Sequence, residues 1–288
     1  MHSCETTGEA AGIVSKGSKG ERSRGATHYD GGMLAVLSPA KSLDFSTRVP
    51  TPRRSEPRLL DDAAALIEVM AEKSPEEIAE LMGISDELSH LNATRYRTWE
   101  PEHTRRNSRQ AVFAFNGDVY QGLDARSLDA RDLTEASKTV RILSGLYGLL
   151  RPLDLIQPHR LEMGTRLVTS RGRRLYDWWG TTITDLLRED LASSPGPEVL
   201  INLASAEYFA SVDVDRLGVP VVTPRFEDRD ADGVPRIVSF HAKRARGTMA
   251  AWLVRNRVRS VARLRAFDGD GYVLDEARST RLAPVFVR

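Results

Sequence analysis

The sequence is poor in the features that would mark several protein classes at once. It holds a single cysteine, Cys4, in 288 residues. That excludes an internal disulfide framework and a cysteine-rich zinc site, and it fits a reducing compartment such as the cytoplasm. No apolar run approaches the roughly 20 residues that a membrane-spanning helix needs, so no membrane contact is expected. The opening residues lack the apolar core of a secretory signal, and none is expected. No two of the six histidines have metal-ligand spacing, so neither a metal nor a cofactor is expected. The phosphate loop G-x-x-x-x-G-K-[ST] and the dinucleotide fingerprint G-x-G-x-x-G are both missing. An excess of charge is missing too: 41 Lys+Arg face 40 Asp+Glu, a formal net of +1. This excludes a globally basic nucleic-acid binder but leaves room for a local basic face.

What is present reads as a globular chain, with 41% hydrophobic and 28% charged residues. Residues 1–32 carry little apolar content and no period, which predicts a disordered extension before a domain over 33–288. Leu34–Leu37 predicts a buried strand, and Leu59–Lys73 a helix. Ser74-Pro75-Glu76-Glu77 is a capping box opening a second helix. Gly83 breaks that helix, and Ser85 can cap a third toward Arg97. Asn107 can cap a helix through Phe115, followed by a loop over 116–122. A helix is expected over 129–138, a strand over 139–143, and irregular chain over 144–165. One long helix is expected over 176–192. Strands are expected over 198–203, 219–223 and 236–240, then a basic helix over 242–259 and short strands at 272–274 and 285–287. Interleaved strands and helices predict an α/β or α+β fold: one domain with a mixed sheet and a helical insertion over 75–97.

Several constellations can carry chemistry. Ser38-Pro39-Ala40-Lys41 has the S-x-x-K spacing of serine acyl enzymes, but the S-D-N and K-T-G partner motifs are absent. A polar turn after a strand explains the same residues. Asn202 to Tyr208 follows the best strand, where ligands of α/β sheets dock, and Ser205 can cap the next helix. From His241 to Phe267 there are eight Lys/Arg and no acid, which reads either as an anion-binding face or as a helix facing acids elsewhere. Further basic clusters span Arg160, Arg166, Arg171, Arg173 and Arg174, and Arg95, Arg97, Arg105, Arg106 and Arg109 with Tyr96 and Trp99. Asp228 to Gly233 copies the start of a calcium loop, but Ser239 stands at the twelfth position, so it reads as a polar hairpin turn. Met82-Gly83-Ile84-Ser85 joins two short helices in a manner similar to a helix-hairpin-helix, which offers backbone N–H groups to DNA phosphates. A plain αα-hairpin is the alternative. Strand-end placement predicts that Lys41, Asn202, Ser205, Lys243 and Arg246 converge on one rim.

Six segments in register resemble one family. They are Leu37–Asp44 (LSPAKSLD), Asn116–Tyr120 (NGDVY), Leu143–Asp154 (LSGLYGLLRPLD), Arg160–Gly164 (RLEMG), Ile201–Ser205 (INLAS) and Ala242–Gly247 (AKRARG). Together they resemble the YaaA family of peroxide-stress proteins. The resemblance implies a single α/β domain of unusual topology with a helix-hairpin-helix and a positively charged cleft. It also implies duplex-DNA binding and a cytoplasmic role in limiting iron-driven damage. Through it, Met82, Gly83, Ile84, Ser85 and Arg95 become the candidate DNA contacts. Lys41, Arg160, Arg166, Lys243 and Arg246 become the candidate anion-binding cleft. The family's polar positions recur as Ser38, Lys41, Asn202, Ser205, Glu207, Tyr208 and Lys243, candidates for a catalytic set. His241 departs from the aromatic residue common at its position and is a titratable group expected near the cleft. The leading expectation is a non-specific duplex-DNA binder. The alternative is an enzyme acting on a small anionic or nucleotide-like substrate through Ser38/Lys41, Asn202/Ser205 and Lys243. A deep, narrow pocket favours the enzyme; an open groove as wide as a duplex favours DNA.

Overall fold

The computed structural model describes residues 32–288; the extension expected over residues 1–32 lies, but for Gly32, outside the described residues. Three apolar runs nucleate the central sheet: β1 (Met33–Leu37), β3 (Val140–Ser144) and β6 (Val199–Leu203). Every residue in them is buried, as expected for parallel strands covered on both faces. Between them come β2 (Arg109–Gln110), β4 (Gly148–Leu150) and β5 (Leu155–Ile156); β7 (Val221–Val222) follows β6. The central order is β4-β3-β1-β6-β7. β1 lies parallel to both β3 and β6, β7 is parallel to β6, and β4 turns back antiparallel on β3. The pair β2–β5 forms a separate antiparallel ladder.

The second sheet holds β8 (Arg225–Arg229), β9 (Pro235–Arg236), β10 (Val273–Leu274) and β11 (Val285–Val287), in the order β10-β11-β8-β9. Phe226, Phe267, Tyr272 and Phe286 pack around it with ring centroids 5.4–6.0 Å apart. The fold is thus a mixed α/β domain with several sheets. No helix among the described residues is long and apolar enough to cross a membrane.

Local signals hold where the chain decides alone. Ser74 caps helix Pro75–Met82 in a complete capping box, Gly83 ends it at φ +60°, and Ser85 caps helix Asp86–Arg97. The Asp228–Gly233 turn joins antiparallel β8 and β9, with Asp230 Oδ1 accepting from the N–H groups of Asp232 and Val234.

Other expectations are corrected. Asn107 caps no helix; its side chain accepts from Thr104 N–H and donates to the Glu102 carbonyl, closing a loop before β2. The stretch read as a loop over 116–122 is mostly helix, Asp118–Leu123. It packs on helix Ser239–Arg255 so closely that both contact points are glycine. A Cβ on Gly122 would lie 2.0 Å from the Arg244 carbonyl oxygen, and one on Gly247 1.7 Å from that of Val119. Tertiary packing here overrides two poor helix formers. The long helix over 176–192 is two, Leu175–Trp179 and Thr182–Ser193, parted at Gly180 (φ +46°). The strand expected over 236–240 ends at Arg236, because Ser239 already begins the basic helix. No strand is expected at β2, β4, β5 or β8, and β4 and β5 lie within the stretch read as irregular over 144–165, where pairing with β3 and β2 draws short segments into ladders.

Candidate functional site

The register of the parallel strands fixes one rim. Leu37 pairs with Ile142 on one side and Leu203 on the other, so Ser38, Ser144 and Ser205 emerge at about the same level. The chain leaves β1 for β3 on one side and places β6 on the other, which makes this rim a topological switch point. A cavity of about 510 Å³ opens there, within the size range of small-molecule sites.

Four segments complete its wall. The β1 exit supplies Ser38 to Ser42, and the loop after β5 supplies His159 to Glu162. The glycine-packed helix pair brings Asn116, Gly117 and Asp118 beside Lys243 and Arg246. The β6 exit brings Ser205, Glu207 and Tyr208.

Ser38 and Ser205 form the floor. Ser38 Oγ accepts from Ser205 N–H at 2.8 Å and donates to Ser205 Oγ at 3.2 Å. Ser205 in turn caps helix Ala206–Phe209, and its own hydroxyl proton remains to be given to a ligand. Tyr120 OH holds the Ser38 carbonyl at 3.0 Å. Lys41 makes no hydrogen bond to Ser38, and residues 38–41 are not helical, so the serine–lysine geometry of an acyl enzyme is not formed. Burial raises the Tyr208 phenol, and Glu162 and Glu207 add to the rise. Tyr208 is therefore a neutral donor.

The charges are unequal in their commitments. Arg160 Nε lies 3.0 Å from Glu162, and Glu207 accepts from Gly164 N–H at 3.0 Å. Asp118 sits in the first turn of its helix, where a carboxylate is favoured by the helix dipole. Lys41, Lys243 and Arg246 have no carboxylate within ion-pair distance among the described residues. Arg246 is the most constrained of them. Burial alone pushes its pKa down, and no carboxylate opposes that effect.

The rest of the basic helix behaves differently. Arg244 pairs with Asp270, Arg257 with Asp132, Arg259 with Glu135, and Arg265 with Glu276. Half of the cations in the acid-free run over 241–267 are therefore matched by acids from elsewhere, and only its first turns reach the cavity.

Two cleft candidates lie elsewhere. Asn202 is buried under the rim, its Oδ1 accepting from Ala204 N–H at 3.0 Å, so it shapes the turn that aims Ser205. Arg166 is exposed and does not line the cavity. His241 faces Asp228 at 3.2 Å, outside the cavity wall.

Met82, Gly83, Ile84 and Ser85 also lie outside the cavity. Their hairpin has the two capped helices and left-handed glycine expected. However, the Gly83 and Ile84 N–H groups both donate to the Ala79 carbonyl, and the two helices they join carry Glu76, Glu77, Glu80, Asp86 and Glu87. Arg95, on the second helix, is different. It stands close enough to Arg160 and His159 to influence both, and Tyr96 beside it donates to the Arg160 carbonyl.

Sequence reasoning missed His159, Asn116, Asp118, Ser144 and Glu162. Of these, His159 carries the most chemistry. It is 6% exposed, and its Nδ1 lies 2.8 Å from the Gln157 carbonyl. Among the described residues, no group of three or more His, Cys, Asp or Glu is placed to hold a metal ion.

Fold and site together define a mixed α/β protein with a polar cavity at the carboxyl ends of its parallel strands. The chain belongs to the family described as peroxide stress protein YaaA, which it matches over residues 33–278. It is 53% identical over 257 residues to a UPF0246 protein of Burkholderia vietnamiensis, covering 89% of this chain and 98% of that one. UPF0246 proteins of Delftia acidovorans (53% over 258 residues) and Alcanivorax borkumensis (49% over 256) match over the same shares.

Proposed function

We propose that this chain serves the peroxide-stress response by binding a small anionic, nucleotide-like molecule in the cavity at the strand ends. The supporting observation is Arg246, a half-buried guanidinium facing the cavity without a carboxylate partner. A charge held out of water needs compensation, and a phosphate or carboxylate supplies it bidentately. Lys41 and Lys243 stand at the same wall, and Ser205 and Tyr208 offer neutral donors. The cavity's volume suits a mononucleotide-sized ligand and not a duplex. Ser38 and Ser205 bond to each other and to no Lys or His side chain among the described residues, so the pair supports binding and not nucleophilic attack.

Duplex DNA is the second reading, and Arg95 favours it. This cation lies on the hairpin's second helix yet sits beside Arg160 of the cavity wall, so a phosphate backbone crossing there meets both. The carboxylates around Gly83 oppose contact at the hairpin tip itself. Limitation of iron-driven damage follows from either reading only through what the ligand does.

Titration calorimetry with ribose 5-phosphate and adenosine 5′-monophosphate tests the first reading. Arg246→Ala should weaken binding by ten- to a hundredfold, the worth of a charged hydrogen bond at about 1.5–3 kcal/mol. Equal affinity in the variant, or no binding by the wild type, defeats it. Fluorescence anisotropy with a short duplex tests the second: affinity should fall steeply with salt and fall further in Arg95→Ala.

A further inference from the structure

We infer that His159 is the residue that selects the cavity's ligand, its Nε2 accepting a hydrogen bond from a hydroxyl or N–H that the ligand carries beside its anionic group. The inference rests on the cavity being a ligand site and adds a demand that anion binding alone does not make.

The tautomer follows from the contacts. A carbonyl oxygen can only accept, so Nδ1, 2.8 Å from the Gln157 carbonyl, carries the proton. In the neutral ring Nε2 is then the nitrogen with the lone pair. That nitrogen has no hydrogen-bond partner among the described residues, although the residue is 6% exposed and belongs to the cavity wall. Nε2 is not sealed away from solvent: it opens on the cavity, so a donor on a bound ligand can reach its lone pair in place of water.

The ring is held for this task. Tyr147 packs edge-on against it at 5.2 Å and Phe115 at 6.4 Å. The Gln157 backbone that orients it is itself fixed, because Gln157 N–H donates to Tyr147 OH at 3.1 Å. That hydroxyl also accepts from Trp99 Nε1 at 3.0 Å, so its own proton goes to His103 Nε2, 3.0 Å away. A chain of committed donors and acceptors therefore ends at one free lone pair.

The charged surroundings keep the ring neutral. Arg95 and His103 both disfavour its protonation, in addition to burial. Arg160 lies next to it in sequence and is paired with Glu162. A neutral imidazole accepts and does not compete with Arg246, Lys41 and Lys243 for the anion. Anion and donor are thus read by different groups on one wall.

The test compares two anions by titration calorimetry at pH 8. Ribose 5-phosphate carries a phosphate and hydroxyls; methyl phosphate is a dianion at that pH and carries no donor. His159→Phe should weaken ribose 5-phosphate by about tenfold and leave methyl phosphate unchanged. His159→Gln, which restores an acceptor, should recover part of the loss. Thermal melts of both variants show whether each is folded, and an unfolded Phe variant leaves the Gln variant to be read at the same two ligands. Equal losses for both anions, or no loss for either, overturn the inference while leaving anion binding intact. Binding of neither anion by the wild type removes the ligand site and this inference with it. Independently, two-bond ¹H–¹⁵N spectra of the histidine rings should show His159 with its proton on Nδ1; a proton on Nε2 overturns the inference whatever binds.

Discussion

Gly247→Ala is the most informative single perturbation of this fold, because one methyl group tests the packing that builds the cavity wall. An added Cβ would lie 1.7 Å from the Val119 carbonyl oxygen and 2.7 Å from Leu123 N. Both neighbours are backbone, so no rotamer change relieves the clash. Restoring an ordinary contact requires helices Asp118–Leu123 and Ser239–Arg255 to part by roughly 1.5 Å, an overpacking cost near the upper end of about 1–3 kcal/mol. Alanine returns about 1 kcal/mol through helix propensity. The net is a loss of about 2 kcal/mol, or a fall in Tm of roughly 4–8 °C for a chain of this size. Gly83→Ala is the control. Gly83 has φ +60° and nothing within 4 Å of a new Cβ, so only the left-handed backbone is strained, at about 1 kcal/mol. Differential scanning calorimetry measures both. The two variants should separate in function as well. Gly247→Ala displaces Lys243 and Arg246 relative to Asp118 and should weaken cavity ligands; Gly83→Ala should not. A Gly247→Ala protein that melts at or above the wild-type temperature would refute the view that this crossing is set by glycine.

Two more outcomes follow from buried polar groups. Tyr147→Phe removes the acceptor for Trp99 Nε1 and Gln157 N–H and the donor to His103 Nε2. Leaving these groups unpaired should cost about 3 kcal/mol, read as a drop in the urea midpoint at unchanged m-value; a loss below 1 kcal/mol contradicts the network. The His159 titration has a definite sign: burial pushes its pKa down from 6.5 to about 4. Above pH 6.5 both states are neutral and the group contributes nothing to the pH dependence. As pH falls from 6.5 to 4 the unfolded chain takes up a proton that the fold refuses, so stability drops, by roughly 2 kcal/mol at pH 5. His159→Gln should flatten the fall in Tm between pH 7 and 5, and parallel curves would show that the imidazole titrates normally.

The parts of this molecule that could be read in the sequence are those whose cause is local. Ser74 and Glu77 satisfy each other across three residues, so the capping box needs no tertiary knowledge. β1, β3 and β6 are buried on both faces, and that condition writes itself as mainly apolar runs, interrupted only by Arg141 and Ser144 in β3 and by Asn202 in β6. The rim that gathers Ser38, Lys41, Ser205 and Lys243 follows from strand direction alone. The misreadings share the opposite origin. Asn116-Gly117-Asp118 carries turn chemistry, yet the helix behind it forms because Gly122 and Gly247 let two backbones meet. Ile237 to Phe240 has a strand's composition, but Ser239 opens a helix that the sheet never continues. His159 has no partner at any informative spacing. Its meaning comes from Gln157, Tyr147 and Arg95, which only the folded chain assembles.

The balanced composition conceals an imbalance in space. Four of the eight cations between His241 and Phe267 reach carboxylates on other elements, so the fold neutralises half of the run. Lys243 and Arg246 are not, and they are the two that the Gly122–Gly247 crossing swings onto the cavity wall. Lys41 arrives there from the far end of the chain on a separate strand exit. Against these three, Glu162 is engaged by Arg160 and Glu207 by the Gly164 N–H, and Asp118, in the first turn of its helix, is a single carboxylate facing three cations. Three cations without a carboxylate partner facing one cavity keep in reserve the charge that a bound anion completes. The price is stability forgone at the cavity wall. It follows that anion binding should raise Tm with the logarithm of ligand concentration once that exceeds Kd, with Arg246, the most buried of the three, carrying the largest share.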